Sequence, residues 1–178
     1  MIHHDYLAAR IREIGFSCTR CGACCRGTAE DTNLVMVTPG EIDRLSEGTG
    51  MTAESFTEPY PESIMTEDGG SFTFERCLSR SQDGCCFLSV NSCTAYLHRP
   101  WICRTYPFML DGDDLLTFPC EGIGREISPG KAHQLAHLLV ERKRAERKEE
   151  EAIGRVLEAV PLPPGKRVLI DSRGMEVI

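Results

Sequence analysis

Four cysteines within eight residues constrain this chain more than any other feature of its sequence. Cys18, Cys21, Cys24 and Cys25 all lie in the run Phe16–Arg26. The Cys-x-x-Cys spacing lets sulfur atoms converge on one metal, and a third cysteine at the same interval is typical of the start of an iron–sulfur ligand run. A fourth ligand must then come from a distant part of the chain.

The adjacency of Cys24 and Cys25 limits how these thiols are shared. Neighbouring side chains in extended backbone point to opposite faces. On that basis the two thiols serve two different sites, or one binds a metal and the other packs beside it. The run as a whole indicates a metal site, and the division of the thiols between sites stays open.

The cysteine content and the N-terminal sequence bear on the redox compartment. Ten of the 178 residues are cysteine. The first residues lack the basic region and the apolar run of a secretory signal, and no apolar stretch approaches the roughly 20 residues needed to cross a bilayer. We therefore expect a cytoplasmic protein without a membrane span, where paired cysteines bind metal more often than they form disulfides. A disulfide framework is the alternative for an even number of cysteines.

The formal net charge of −7 bears on the class of partner. Binding to nucleic acid requires a basic face that neutralises phosphates, so we expect no nucleic-acid partner. A local basic patch is still compatible with this charge balance. Arg26, Arg99 and Arg104 flank cysteines, and their cations either stabilise thiolates or form ordinary surface ion pairs.

Local patterns predict an α+β fold made of short elements. Apolar residues at helical spacing predict an amphipathic helix over His4–Ile14. Thr38 and Glu41 form a capping box that predicts the start of a second helix. The alternating segment Ser71–Phe74 predicts a strand, whereas the polar segment Pro59–Gly70 predicts an exposed loop. The cysteine-rich segments between these elements predict irregular loops organised by metal.

The C-terminal part of the chain predicts a helical extension and a tail. Ser128 and Pro129 mark the start of a long helix. Residues 141–151 include five acidic and five basic side chains, which predicts an exposed helix that projects into solvent. Residues 167–178 resemble a small hairpin. We expect the helix and the tail to contact a protein partner, and we divide the chain into a cysteine-cluster metal-binding domain (1–127), a helical extension (128–160) and a C-terminal tail (161–178).

A second cysteine-rich region follows the first, and together they resemble a known family. This region reads Cys86-Phe-Leu, Cys93-Thr-Ala-Tyr, Arg99-Pro100, Cys103-Arg-Thr-Tyr-Pro-Phe and Cys120-Glu-Gly-Ile-Gly. Taken together with the first run, and with the Val-Thr-Pro-Gly-Glu-Ile segment that lies between the two regions, this region is similar to the YkgJ-type cysteine-cluster family. That family is described as a zinc- or iron-chelating domain. The resemblance covers about residues 16–125, and Cys77 and Cys85 lie outside its pattern. It implies that the metal ligands are Cys18, Cys21, Cys24, Cys25, Cys86, Cys93, Cys103 and Cys120.

The spacing of the cysteines bears on which metal they bind. Soft thiolates select zinc, iron–sulfur clusters or Cu(I) over magnesium and calcium. A four-cysteine zinc site usually shows two Cys-x-x-Cys pairs, and the second cysteine region has no matching pair. A three-cysteine run with a remote cysteine is closer to cluster ligation. The pattern therefore favours one or two [4Fe–4S] clusters, with zinc as the alternative.

Two functions of different classes follow from these two metals. With a cluster, the protein is a redox or accessory subunit of a larger complex. With zinc, it is a structural or interaction module without redox activity. An enzymatic role stays open, but no independent catalytic motif supports it. The sequence shows no nucleotide-binding loop, no Gly-x-Ser-x-Gly and no His-Glu-x-x-His. We expect His133 and His137 to be exposed to solvent and the aromatic side chains of the second cysteine region to pack around the site: Trp101, Tyr106 and Phe108.

Overall fold

The computed structural model describes residues 4–27 and 34–178. The helices in this part of the chain are α1 (His4–Ile14), α2 (Ala23–Arg26), α3 (Pro39–Thr49), α4 (Ala53–Phe56), α5 (Trp101–Thr105) and α6 (Pro129–Ala159), with a 3₁₀ turn over Tyr96–His98. The strands are β1 (Met36–Val37), β2 (Thr57–Pro59), β3 (Ile64–Met65), β4 (Ser71–Phe74), β5 (Arg76–Leu78), β6 (Arg80–Ser81), β7 (Gly84–Cys85), β8 (Leu88–Ser89), β9 (Ser92–Cys93), β10 (Phe108–Asp111), β11 (Asp114–Thr117), β12 (Arg167–Asp171) and β13 (Gly174–Val177).

The chain folds into two compact units, and each unit is built from two separate segments. The first unit comprises Met1–Asn33 and Phe87–Ala145, and the second comprises Leu34–Cys86 and Glu146–Ile178. Both units combine short strands with helices, which confirms the predicted α+β class. The division of the chain at residues 127 and 160 stays a prediction.

Packing of α1 on the first half of α6 forms the core of the first unit. Leu7 and Ile11 lie four residues apart on α1, and both side chains are fully buried. This spacing places them on one face of the helix, as the sequence pattern predicted. The buried residues that join them in one cluster are Ala8, Phe108, Ala132, Leu135, Ala136, Leu139 and Val140. The prediction of core packing is therefore confirmed for Phe108, whereas Trp101 and Tyr106 are half-buried.

A four-stranded sheet of the second unit incorporates the C-terminal tail. Its strand order is β13-β12-β4-β3, with β12 parallel to β4 and antiparallel to β13. The three consecutive residues Val168, Leu169 and Ile170 are all buried on β12. The predicted hairpin is therefore confirmed. An isolated hairpin is marginal in water, and here it is completed by pairing with the chain's own strand.

The capping box at the start of α3 is formed as predicted. The backbone N–H of Glu41 donates to Thr38 Oγ1 over 3.4 Å, and the N–H of Thr38 donates to Glu41 Oε2 over 3.0 Å. The helix ends at Gly50, whose φ of 72° suits the left-handed conformation common after helices. These local hydrogen bonds satisfy backbone groups that the helix leaves without an internal partner.

Two predictions of exposed structure are wrong in part. The expected loop Pro59–Gly70 contains β3, whose backbone pairs with β4 while Ile64 and Met65 remain 54% and 68% exposed.

Along the charged part of α6, Arg147 and Glu151 form the expected exposed pair, with Nε and Oε1 3.5 Å apart. Arg142, however, is buried, and its Nη1 donates to Thr105 Oγ1 over 3.0 Å. The charge pattern along α6 does not predict the burial of Arg142. A long side chain can be buried where its guanidinium finds a polar partner, and that partner is remote in sequence.

None of the helices in the described residues is long and apolar enough to cross a membrane.

The connection between β4 and β5 gathers carboxylates in the second unit. Glu75 adopts a left-handed conformation, with a φ of 57°. Burial is the largest cause that raises the pKa of Glu75 to about 7, and the negative charges of neighbouring carboxylates contribute to the same shift: Glu149, Glu41, Asp171 and Glu146. Among the described residues, Glu149 Oε1 is a buried oxygen without a hydrogen-bond partner. The acidic cluster therefore disfavours ionised Glu75.

We predict that Leu169→Ala destabilises the second unit by about 2–5 kcal/mol, because it leaves a cavity in the sheet face. Val177→Ala on the neighbouring strand is the control, since Val177 is 60% exposed. This control should change the free energy of unfolding by no more than about 0.5 kcal/mol. The measurement is denaturant unfolding followed by circular dichroism. Equal effects of the two substitutions would show that the tail is not packed as described.

We also predict a pH dependence that originates at Glu75. Its folded-state pKa of about 7 exceeds its ordinary value of 4.5, so the folded state holds the proton more tightly. The stabilising contribution is therefore complete below about pH 4.5 and is lost as the pH rises through about 7. Glu75→Gln should raise Tm at about pH 8 and reduce the fall in Tm between about pH 5 and pH 8. Glu67→Gln, in an exposed turn, should leave that fall unchanged, and a similar result for Glu75→Gln would contradict the assignment.

Candidate metal centre

The first cysteine run forms a loop followed by one helical turn. Gly22 precedes the turn with φ 75° and ψ 3°, and the N–H of Cys25 donates to Gly22 O over 3.0 Å. Cys24 and Cys25 therefore lie on α2 and not in extended backbone. Their Sγ atoms are 4.0 Å apart. The expectation of oppositely directed thiols is corrected, since adjacent helical side chains diverge by only about 100°.

Backbone pairing brings the last cysteine segment to the first. The N–H of Ser17 donates to Gly122 O and the N–H of Gly124 donates to Gly15 O, each over 3.0 Å. Phe16 and Ile123 form the antiparallel bridge between these bonds. The remote segment thus lies directly beside the residues that precede Cys18.

Two glycines make this close approach possible. A Cβ atom on Gly122 would lie 2.5 Å from Ser17 O, and one on Gly15 would lie 2.7 Å from Arg125 O. Gly15 also has a φ of 72°, which disfavours any side chain. Neither glycine offers a ligand, and sequence reasoning missed the part that both play in this close approach. The sequence signal for Gly122 is its position two residues after Cys120, whereas no cysteine spacing points to Gly15.

The thiol of Cys120 lies within electrostatic range of the first run. Burial raises the pKa of Cys120, the N–H of Gly122 opposes this shift, and the thiols of Cys21, Cys24 and Cys18 raise it further. The N–H of Gly122 donates to Cys120 Sγ over 3.4 Å. The structure thus brings the segment of Cys120 and the three regularly spaced cysteines into one neighbourhood.

Cys24 is the thiol most perturbed by its neighbours among those whose shifts are resolved. A hydrogen bond with Cys25 raises the pKa of Cys24 well above its usual range, burial of the sulfur adds to this, and the positive charge of Arg99 opposes it. The thiol therefore keeps its proton in this arrangement. Because a metal binds the thiolate, metal binding must release that proton.

The remaining predicted ligands lie in both units. Cys93 ends β9 and Cys103 lies on α5, and both are half-buried in the first unit. Arg26 joins the Cys93 hairpin to the first run, since its guanidinium donates to Cys21 O over 2.7 Å and to Val90 O over 2.6 Å. Cys86 belongs to the second unit, where its Sγ lies 3.7 Å from Phe56 O.

The ten cysteines all lie in the described residues, and each is a free thiol rather than half of a disulfide. Across residues 4–27 and 34–178, no three Cys, His, Asp or Glu side chains already meet in ligating geometry. The donor set is all sulfur, which suits zinc or an iron–sulfur cluster and does not suit magnesium or calcium.

Of the two cysteines outside the family pattern, Cys77 is set apart from the predicted ligands by its burial. Cys77 is fully buried in β5, and burial raises its pKa. It behaves as a small apolar core residue. Cys85 is half-buried at the end of β7.

Cations and aromatic rings surround the first run within the first unit. The Cζ atoms of Arg99 and Arg20 lie 3.6 Å and 5.2 Å from the centroid of the Tyr96 ring. Arg104 lies 4.6 Å from the centroid of Trp101. The charge of Arg99 also lowers the pKa of Cys24. The choice between the two sequence interpretations of Arg26, Arg99 and Arg104 stays open. Sequence reasoning missed Tyr96 and Arg20, because no spacing rule connects them.

The two histidines of α6 are exposed, as predicted. His133 Nδ1 lies 3.7 Å from Asp5 Oδ1, and the ring of His137 lies 5.6 Å from that of His4. These contacts join the surfaces of α1 and α6.

A concave pocket of the second unit contains no cysteine. It measures about 330 Å³ and lies between α3 and the β12–β13 hairpin. Its guanidinium groups are paired, with Arg76 Nη2 2.8 Å from Glu176 Oε2 and Arg173 bonded to Asp43. These ion pairs account for the two guanidinium charges of the pocket, whose lining also includes Glu54 and Asp171.

The chain was compared with known proteins. The sequence model of the CxxCxxCC family, whose description reads "Putative zinc- or iron-chelating domain", matches residues 17–150. No curated protein and no solved structure gives a significant match. The matched region includes all ten cysteines and most of the chain. This chain therefore belongs to the CxxCxxCC family of zinc- or iron-chelating domains.

Proposed function

We propose that this protein binds a [4Fe–4S] cluster through Cys18, Cys21, Cys24 and Cys120 and acts as a redox or accessory subunit of a larger complex. The observation that carries the proposal is the backbone pairing of the segment after Cys120 with the residues before Cys18, and the thiols of Cys21, Cys24 and Cys18 also raise the pKa of Cys120. Three cysteines at intervals of three residues with one remote cysteine form a cluster-type ligand set.

The backbone of the first run supports an anionic group. Arg20 and Gly22 both have positive φ values, 56° and 75°. Residues of this conformation next to right-handed turns direct successive N–H groups into a concavity that suits anions, including iron–sulfur clusters. The N–H of Gly122 already donates to Cys120 Sγ. Such hydrogen bonds to sulfur are one of the means by which a protein raises the potential of a cluster.

Charge near the thiols supports the same proposal. Arg99 stabilises the thiolate form of Cys24, and Arg26 donates to the carbonyl of Cys21 within the run. A [4Fe–4S] cluster bound by four thiolates is an anion that accepts or donates a single electron when it is bound. These arginines offset that negative charge. The backbone pairing that Gly15 and Gly122 permit holds the fourth thiol in place.

Cys25, Cys93 and Cys103 are the thiols of the first unit left for a second site, and Cys86 stays a predicted ligand. Zinc is the competing metal for the whole set. In that case the protein is a structural or interaction module without redox activity.

The direct test is anaerobic purification followed by analysis of iron, acid-labile sulfide and zinc. We expect a brown protein with about four iron and four sulfide per cluster. A colourless protein with stoichiometric zinc and no sulfide would overturn the cluster and leave the zinc module.

Cysteine substitutions should separate the ligands from the core. Cys21→Ser and Cys120→Ser should each remove the proposed cluster, because a serine hydroxyl is a hard ligand in a site built of soft thiolates. Cys77→Ala is the control, since Cys77 is buried in a β-strand of the second unit. It should lower stability and retain full metal content per folded molecule. Full metal content in Cys120→Ser would remove Cys120 from the ligand set.

The close approach of Gly122 to Ser17 can be tested without substituting any cysteine. Gly122→Ala should push the Cys120 segment away from Ser17 and lower metal occupancy at least several-fold, because ligation needs all four thiols. Gly154→Ala is the same substitution on α6, where a Cβ meets nothing within 4 Å. It should keep metal occupancy and stabilise the helix by up to about 1 kcal/mol. Unchanged occupancy in Gly122→Ala would show that the close approach is not needed for binding.

A further inference from the structure

Two aliphatic side chains of the first unit are almost fully exposed. Val90 is 86% exposed at the tip of the β8–β9 hairpin, and Leu97 is 87% exposed on the 3₁₀ turn. Single exposed apolar residues are common on proteins. Arg26 of the first cysteine run, however, bonds the backbone of Val90, and Arg20 of the same run contacts Tyr96, the residue before Leu97.

The contacts of the two arginines define this arrangement. Arg26 donates from the cysteine run to the carbonyl of Val90, and it also bonds Asn91 Oδ1. Arg20, from the same run, lies over the ring of Tyr96, which directly precedes Leu97. The two exposed aliphatic groups therefore flank the loop that carries the proposed cluster ligands.

The backbone of Val90 adopts a conformation that its side chain disfavours. Its φ is 56°, where a β-branched residue is a genuine outlier. Glycine or asparagine at this turn would avoid that cost. Strain of this kind is concentrated at functional positions, and here the strained residue presents an isopropyl group to solvent.

The charge around these residues is opposite to that of the whole chain. The segments 14–27 and 87–110 contain four arginines and no aspartate or glutamate. The chain as a whole has 27 acidic residues and a net charge of −7. A local positive face on an acidic protein favours an acidic partner at that face and repels it elsewhere.

From these observations we infer that Arg20, Val90, Tyr96, Leu97 and Arg99, here called the docking face, bind an acidic surface of an electron-transfer protein. The inference rests on the proposed function, which gives the cluster a need for a redox partner. The aliphatic groups supply the desolvated centre of the contact, and the arginines supply its charged rim.

The same positive charge could attract a nucleic acid, but the observations favour a protein. Binding of single strands relies on aromatic faces free to stack on bases. Here two arginines lie within cation–π distance of the Tyr96 ring. Two exposed aliphatic groups suit an apolar protein surface and offer nothing to a phosphate backbone.

The test uses the full chain with its metal, under anaerobic conditions, and calorimetric titration. The probe is an acidic flavodoxin, and a basic c-type cytochrome is the control of opposite charge. We expect saturable binding of flavodoxin that weakens as salt rises from about 50 to about 300 mM, because rim charges are screened. We expect no binding of the cytochrome at the same concentrations.

Variants of the docking face distinguish a contact from a structural role. Val90→Gly should raise Tm, since glycine adopts the positive φ without strain, and yet weaken flavodoxin binding about tenfold. Leu97→Ser should weaken binding to a similar extent. The controls are Met65→Ser, which removes an apolar group that is 68% exposed, and Lys131→Glu, which reverses an exposed charge. Both controls should stay within about twofold of the unaltered protein.

Iron and sulfide are measured on every sample, so that a failure of the proposed cluster can be distinguished from a failure of the docking face. Zinc in place of iron, with the same pattern of flavodoxin binding, would overturn the proposed cluster and support the docking face. Absence of saturable flavodoxin binding would overturn the docking face, as would an equal loss in the control variants. Tighter binding of an oligo(dT) than of flavodoxin would assign the face to nucleic acid and overturn the inference.

Discussion

Backbone pairing between the residues before Cys18 and the residues after Cys120 is the interaction on which the candidate site depends. Each strand of this pairing is too short to be stable alone. Two hydrogen bonds and one bridge hold it, and glycines at Gly15 and Gly122 let the chains approach closely. A small number of weak contacts thus places a fourth thiol beside three others. A bound metal would strengthen the same arrangement, since ligation and folding are coupled.

Electrostatics around the thiols is arranged for a group that is negatively charged. Thiols placed close together hold their protons more tightly, as Cys24 does beside Cys25. A metal that replaces those protons leaves a thiolate complex with net negative charge. Arg26 and Arg99 lie close to the cysteines, and both belong to segments without carboxylates. Arg99 is therefore common to the proposed cluster site and to the proposed docking face.

The sequence predicted those parts of the structure that depend on near neighbours. The capping box of Thr38 and Glu41 and the helix His4–Ile14 are formed by residues within a few positions of each other, and both were confirmed. The α+β class and the family were also recognisable. The burial of Arg142 was not, because its partner Thr105 is remote in sequence. Similarly, the parallel pairing of β12 with β4 depends on a register that no local pattern encodes.

The candidate site shows the same limit. Spacing alone identified the first three thiols as a set and required a distant fourth. It could not select a fourth thiol, since the approach of Cys120 to the first run depends on two glycines that carry no metal chemistry. It also placed Cys24 and Cys25 in extended backbone, whereas Gly22 starts a helical turn there. The sequence therefore indicated the type of ligand, and the proposed grouping of the ligands rests on the fold.

The separation of the four thiols along the chain has a consequence during synthesis. Cys18, Cys21 and Cys24 are synthesised before Cys120, which follows after about a hundred further residues; these take roughly 5–20 s at ordinary elongation rates. Through that interval the proposed ligand set is incomplete, and its thiols are open to oxidation and to other soft metals. Binding of one metal centre by all four proposed ligands therefore follows synthesis of the second cysteine region.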